Sequence, residues 1–149
     1  ALAIGPNMVK GLNFSVLKDL QPLAQTTTGS MLLAASPATP FKSVREVIDY
    51  AKQNPDKLSN ASSGNGTPGH VGFELFKYMT GTRIVHIPYK GGAAGTIDLI
   101  AGQVQLTFTP GGTAMGHVKA GKLNALGVSS QQPSALCRMQ PSLHQSRRR

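Results

Sequence analysis

This chain of 149 residues has one cysteine, no tryptophan and only six acidic side chains. Because Cys137 has no second cysteine to pair with, an intrachain disulfide and a cysteine-cluster metal site are both excluded. No apolar run approaches the ~20 residues that a helix needs to cross a bilayer. We therefore predict that the chain does not span a membrane. No signal peptide is visible, because the first residues carry no basic leader region.

The acidic side chains are also unevenly distributed, and this explains most of the net charge of +9. No acidic residue follows Asp98, and four of the fifteen basic residues lie after Leu136. Up to Leu136 the balance is 11 basic minus 6 acidic residues, or +5. These basic residues are scattered and are not interleaved with aromatic side chains, so we predict no nucleic-acid partner. A mildly basic body still favours small anionic ligands.

Strand and helix patterns alternate along the chain. Ser43 and Glu46 form a capping box at the start of a helix that Pro55 ends. Further helices are predicted from Pro68 to Gly81 and over 93–101 and 113–120, and strands are predicted over 31–35, 57–61, 84–87, 104–108 and 123–128. This order predicts an α/β fold with a mostly parallel sheet. In such sheets ligands bind beyond the carboxyl ends of the strands.

Apolar spacing gives an expected buried face for two of these helices. In the helix that begins at Pro68, this face consists of four residues: Val71, Leu75, Tyr78 and Met79. In the next helix we expect Ile97 and Ile100 to point inward.

Three glycine-rich turns, each between a strand and a helix, carry the main functional signal. They are Ser62 to His70, Tyr89 to Gly92, and Thr109 to Thr113. In the first turn, Thr67 is a good N-cap, and the two glycines before it allow bare N–H groups at a helix N-terminus. Such groups bind carboxylates or phosphates. Three turns of this kind with little catalytic equipment nearby favour a protein that holds an anion.

Enzymatic alternatives find less support in the residues. Gly64 to Gly69 matches the dinucleotide pattern G-x-G-x-x-G, but the next predicted strand ends without the acidic residue that grips a ribose. Neither His70 nor His86 has an evident carboxylate partner, and the histidines show no metal spacing. We therefore predict no catalytic residue, no metal and no cofactor. A small dinucleotide-dependent enzyme remains the alternative.

At family level, the segments Ala61–Thr67 and Ile87–Gly91, with His70 between them, resemble the substrate-binding proteins of tripartite tricarboxylate transporters, also called Bug-type receptors. The resemblance runs from about Leu2 to Ser130. It implies a periplasmic receptor of the Venus-flytrap kind (type II). Such a receptor captures a small carboxylate: a di- or tricarboxylate, an amino acid or a nicotinate-like acid. It delivers the ligand to an inner-membrane transporter or to a sensor.

The resemblance also implies a domain division and a set of ligand residues. Residues 36–122 would form the second domain, residues 1–35 a remnant of the first domain with one crossing strand, and residues 123–149 the return strand and a disordered basic tail. The implied ligand-binding residues are Ser62, Ser63, Gly64, Asn65, Gly66, Thr67, His70, Tyr89, Lys90, Gly91 and Thr109.

Three departures from the family pattern qualify this expectation. Thr109 stands where the family commonly has aspartate. The family's longer N-terminal region is missing, and after Gln132 the sequence no longer follows the family. We therefore expect a truncated chain with an aberrant tail, as a frameshift or truncation would produce. A fragment without binding activity is a second alternative.

Overall fold

The computed structural model describes residues 4–8, 10–25 and 29–130. These residues form eleven elements: α1 (Gly5–Met8), α2 (Val16–Asp19), β1 (Met31–Ala35), α3 (Val44–Gln53), β2 (Ser59–Ser62), α4 (Pro68–Thr80), β3 (Val85–Pro88), α5 (Gly92–Ile100), β4 (Leu106–Pro110), α6 (Gly111–Lys119) and β5 (Asn124–Val128). The nine from β1 onward were predicted, with boundaries that move by at most two residues. The expected tail lies outside the described residues.

The five strands form one sheet in the order β3-β2-β4-β1-β5. β2 pairs in parallel with β3 and β4, whereas β1 pairs antiparallel with both β4 and β5. Four strands therefore run in one direction, which confirms the predicted α/β fold. Parallel pairing extends only over β3, β2 and β4, so the sheet is mixed and not mostly parallel as predicted. The reversed direction of β1 was not predicted.

β1 is the most deeply buried strand. Leu33 and Ala35 belong to the core beneath α3 and α4, and Leu32 and Ala34 pack on the opposite face against α6 and β5. Burial on both faces explains why this strand is a continuous apolar run. β1 and β5 belong to the same sheet as β2, β3 and β4, which lie between them in sequence. The division of the chain at residues 35 and 122 stays a prediction.

The predicted capping box at α3 is confirmed. The Ser43 hydroxyl accepts a hydrogen bond from the Glu46 N–H at 3.3 Å and donates to the Glu46 carboxylate at 3.0 Å. That carboxylate also accepts from the backbone N–H of Lys42 at 2.8 Å. The Lys42 hydrogen bond, followed by the one from Ser43, holds the pKa of Glu46 below its ordinary value.

The predicted buried face of α4 is wrong at three of its four residues, and the fourth, Val71, is half-buried. Leu75, Tyr78 and Met79 are 55%, 87% and 44% exposed, whereas Gly69 and Phe73 are buried. The reason is the close approach of α4 to β4. A Cβ on Gly69 would lie 2.5 Å from the carbonyl oxygen of Phe108, closer than real Cβ atoms come. Glycines give no hydrophobic signal, so the sequence pattern did not mark the face that makes this contact.

The prediction for α5 is wrong in part. Ile97 is 66% exposed, and the buried residues of this helix are Gly95 and Leu99. Ile100 does pack against the core that contains Leu99 and Ala61. Gly95 sits over Ala61, because a Cβ at this position would lie 3.3 Å from the Ala61 Cβ. Gly95, and not Ile97, therefore lies on the side of α5 that faces the sheet.

Because α4 has one buried and one exposed face, replacing a side chain by alanine should lower the free energy of unfolding by different amounts on the two faces. Phe73→Ala removes a ring that is 1% exposed and should lower the free energy of unfolding by about 3–5 kcal/mol. Leu75→Ala, two residues away on the exposed face, should cost less than about 0.5 kcal/mol. Urea denaturation followed by circular dichroism measures both. Equal losses would contradict the orientation of α4.

Candidate functional site

A cavity of about 630 Å³ opens between the N-termini of α4, α5 and α6. From β2 the chain passes to β3 on one side and then to β4 on the other, so the strand order reverses at β2 and β4. Crevices of this kind, beyond the carboxyl ends of strands at such a reversal, are the usual ligand sites of α/β sheets. Its wall is formed by Met31, Ala61, Ser62, Ser63, Pro68, Gly69, Gly92, Ala93, Gly95, Thr96, Ile97, Ile100, Thr107, Phe108, Thr109, Pro110, Thr113 and His117.

Apart from His117, the side chains of this wall are apolar or carry hydroxyl groups. Among the described residues that line the cavity, none is Lys, Arg, Asp or Glu, and His117 is the one titratable side chain. An anion in the cavity would therefore be held by backbone N–H groups and hydroxyls. Such donors keep their charge distribution at any pH, unlike a titrating side chain.

The three helix N-termini at the cavity are not equivalent. α4 is capped by Thr67, whose side chain accepts from the backbone N–H of His70. The N-cap positions of α5 and α6 are Gly91 and Pro110, and neither supplies a side-chain cap. The first N–H groups of any helix have no carbonyl partner within it, and the helix dipole makes this end positive. α5 and α6 therefore bring positive ends to the cavity that are uncapped in the sense that no side chain caps them, and at α6 the Gly111 N–H already donates to the Ser30 carbonyl at 3.2 Å.

The turn before α4 uses its backbone N–H groups internally. The Gly64 N–H donates to the Ser62 hydroxyl at 3.2 Å, and the Gly66 N–H donates to His70 Nδ1 at 3.1 Å. The Thr67 hydroxyl donates to the Gly64 carbonyl at 2.7 Å. The expectation that these two glycines present bare N–H groups is therefore wrong, because the short turn folds back on its own side chains.

The predicted ligand residues divide into two groups in the structure. Three of them line the cavity: Ser62, Ser63 and Thr109. The other eight lie outside the cavity wall, His70 in α4 and the rest in the adjoining turns: Gly64, Asn65, Gly66, Thr67, His70, Tyr89, Lys90 and Gly91. A ligand role for either group stays a prediction.

Sequence reasoning missed the residues that α5 and α6 bring to the wall. These include Gly92, Ala93 and Thr96 of α5, and Thr113 and His117 of α6. The second and third glycine-rich turns pointed to the starts of these helices. The missing signal was the capping state, since a turn that lacks a cap-forming side chain leaves its N–H groups for another partner.

Ser62 connects the cavity wall to two stacked histidines behind it. Its hydroxyl lies 2.7 Å from His86 Nε2, and the His86 ring stacks on His70 with centroids 4.2 Å apart. Partial burial, and then the neighbouring His70, lower the pKa of His86. The Ser62 hydroxyl also exchanges hydrogen bonds with the Gly64 backbone, so it connects His86 to the turn before α4.

Tyr89 packs beneath α5 and hydrogen-bonds to it. Its hydroxyl donates to the Asp98 carboxylate at 2.7 Å, and its ring lies against Gly95. The hydrogen bond to Asp98, followed by burial, raises the pKa of Tyr89 above its ordinary value. Asp98 is the first acidic residue after β3, the strand that follows the G-x-G-x-x-G pattern, and its carboxylate accepts the hydrogen bond from this tyrosine.

The described residues also show whether a metal site or a membrane-spanning helix is present among them. Within the described ranges, no three His, Cys, Asp or Glu side chains come together in a way that could hold a metal ion. In the same part of the chain, no helix has both the length and the apolar character that crossing a membrane requires.

An α/β sheet with a ligand cavity at its strand reversal, walled by helix N-termini, is the architecture of a solute-binding domain. The match to a family model identifies which kind. The tripartite tricarboxylate transporter family receptor model (TctC) matches residues 1–146. The chain belongs to this family, which confirms the resemblance drawn from the glycine-rich turns. The match continues past Ser130, where we expected the resemblance to end.

Individual proteins and solved structures are also similar to this chain in sequence and in fold. A UPF0065 protein of Bordetella pertussis is 39% identical over 125 residues, which are 84% of this chain and 38% of that protein. A solved periplasmic transporter structure is 32% identical with a TM-score of 0.85 and covers 92% of this chain and 46% of its own. An R. palustris protein solved with adipate is 33% identical with a TM-score of 0.76, over 78% of this chain and 39% of its own. The chain thus spans less than half the length of these relatives.

The Tyr89–Asp98 contact predicts a titration change. Asp98→Asn removes the carboxylate that favours the protonated phenol, so the pKa of Tyr89 should fall back toward its ordinary value of 10.0. Spectrophotometric titration of the phenolate band measures this shift. Asp49→Asn, which changes an exposed carboxylate on α3 that pairs with Arg45, is the control. Superimposable curves for Asp98→Asn and the unsubstituted chain would contradict the assignment.

Proposed function

We propose that this chain forms one wall of the ligand cleft of a periplasmic solute receptor and binds a small carboxylate without transforming it. The observation that carries the proposal is the pair of uncapped helix N-termini, α5 and α6, at one cavity. Membership in a family of transporter receptors supports binding over catalysis. A similar structure was solved with adipate, a dicarboxylate, which supports the ligand class.

The cavity wall supports a specific orientation of the ligand. A carboxylate would accept hydrogen bonds from first-turn N–H groups near Gly92 and Ala93 of α5 and near Thr113 of α6. The body of the ligand would then lie against Met31, Ile97 and Ile100. Ile97 is 66% exposed although it is a large apolar residue, and contact with a ligand body gives this exposure a use.

The family and the structural relatives also support a location and a destination. The receptor would work in the periplasm, as the periplasmic transporter structure suggests, and would deliver its ligand to the membrane subunits of a tripartite transporter or to a sensor. The described wall would form the cleft together with a second wall that the longer relatives contain. Closure of two walls over the ligand would exclude water and strengthen the backbone hydrogen bonds.

Filling the space over the α5 N-terminus tests the ligand position. A Cβ on Gly92 meets nothing within 4 Å, so Gly92→Leu should fold normally while its side chain occupies the cavity. We expect the affinity for adipate, measured by calorimetry on the full chain, to fall at least about tenfold, or ~1.4 kcal/mol.

Gly116→Leu is the matched control, because a Cβ at Gly116 also meets nothing within 4 Å and Gly116 does not line the cavity. Its affinity for adipate should equal that of the unsubstituted chain. The neutral diamide of adipate should not bind, since it lacks the negative charge that the helix N-termini attract. Undiminished binding by Gly92→Leu, or equal binding of acid and diamide, would overturn the proposal.

A further inference from the structure

Two histidines are linked by hydrogen bonds to the glycine N–H groups of the turn before α4, one of them directly and the other through Ser62. The Gly66 N–H donates directly to His70 Nδ1 at 3.1 Å. The Gly64 N–H donates to the Ser62 hydroxyl, which in turn lies 2.7 Å from His86 Nε2. The two imidazole rings stack at 4.2 Å with an angle of 25° between their planes. Ser62 also lines the cavity, so this network reaches the ligand site.

We propose that His70 and His86 are positioning residues that form a latch on the turn at residues 62–67, and that protonation of His70 opens this latch. The effect of the latch on ligand affinity rests on the proposed function. Its effect on the turn itself does not, because every contact involved lies within the chain.

The chemistry of the imidazole ring makes the contact with Gly66 sensitive to protonation. His70 Nδ1 can accept the Gly66 N–H only while that nitrogen carries no proton, so the neutral ring has its proton on Nε2. Nε2 lies 4.0 Å from the Glu74 carboxylate, on the side away from the turn. A doubly protonated ring has donors on both nitrogens and loses its acceptor for Gly66.

The hydrogen bond to His70 is one of several that hold the turn, and its donor belongs to a residue with a left-handed backbone. Gly66 has a φ of +73°, in the left-handed region that favours glycine. The sulfur of Met8 would lie 3.0 Å from a Cβ built on Gly66, so Met8 covers this residue. With the hydrogen bond to His70 broken, the Gly66 N–H would have to find another acceptor. Thr67 would still cap α4, so the helix would persist while the turn loosens.

The charged groups around the stacked rings come from α4 and β3. On α4, Glu74 lies near His70 and forms an ion pair with Lys77 at 2.6 Å. On β3, the His86 pKa is lowered by partial burial, then by the charge of His70 and by Lys77, while Glu74 raises it. Two charged rings stacked at this distance would repel, so protonation of one ring disfavours protonation of the other.

The sign of the His86 shift sets the direction of the pH dependence. Its folded pKa lies below the ordinary value of 6.5, so its contribution to stability is fully present above that value. The contribution is lost as the pH falls through the lowered folded pKa, because the unfolded chain binds the proton first.

The first test needs no ligand. In ¹⁵N-labelled full chain, the Gly66 amide resonance should move and its hydrogen exchange should accelerate between about pH 7.5 and about pH 5, where histidines titrate. His70→Asn keeps an acceptor oxygen near the position of Nδ1 but cannot titrate, so its Gly66 resonance should not respond. His70→Ala should show fast exchange at both pH values. His117→Asn, which removes an imidazole elsewhere in the described chain, must retain the Gly66 response.

The second test measures adipate affinity across the same pH range. Protonation of adipate itself lowers the affinity of every variant on acidification, so the latch is measured as a difference. The affinity of the unsubstituted chain should fall about two- to tenfold more than that of His70→Asn, the range that one net hydrogen bond corresponds to. A Gly66 resonance that does not move in the unsubstituted chain, or that titrates equally in His70→Asn, would overturn the latch. Absence of adipate binding at every pH would instead count against the proposed function, since the Gly66 readout is independent of ligand.

Discussion

The close contact between α4 and β4 is the constraint on which the site depends. The Gly69 backbone lies so near the carbonyl oxygen of Phe108 that a Cβ would come within 2.5 Å of it, and Gly72 lies over the Phe108 ring. This contact fixes the start of α4 above the carboxyl end of β4, with Pro68 and Gly69 in the cavity wall. A larger residue at position 69 would push the helix, and with it the turn at residues 62–67, away from the sheet.

The same arrangement divides the helix N-termini into two kinds. The start of α4 is satisfied by its own residues, through Thr67 and through the hydrogen bond from Gly66 to His70. The starts of α5 and α6 have no side-chain cap and face the cavity. Unsatisfied N–H groups are costly when they are buried and favourable when an anion binds them. A closed cleft would therefore favour a carboxylate at the N-termini of α5 and α6. The neighbouring turn at residues 62–67 would keep its own hydrogen bonds.

Much of this fold could be predicted because its local signals are strong. The capping box at Ser43, the Thr67-Pro68 helix start and the apolar run of β1 each mark an element by local chemistry. What failed was the side of a helix that faces the sheet. In α4 and α5 that side is marked by glycines, which carry no hydrophobic signal, and so Leu75 and Ile97 were wrongly expected inside.

The candidate site shows a similar limit. Sequence patterns located three helix starts, but the choice between them depends on hydrogen bonds such as that from Gly66 to His70, which form only when the turn folds back. The antiparallel insertion of β1 between β4 and β5 was invisible for the same reason, since strand direction is set by tertiary pairing.

The most direct test of the central claim is a titration of the ¹⁵N-labelled chain with adipate and with its neutral diamide. The account predicts saturable shifts, with the acid alone, that are largest at Gly92, Ala93 and Thr113. Shifts centred instead on the turn from Gly64 to Thr67, or equal shifts with the diamide, would contradict the claim that the uncapped ends of α5 and α6 receive the carboxylate.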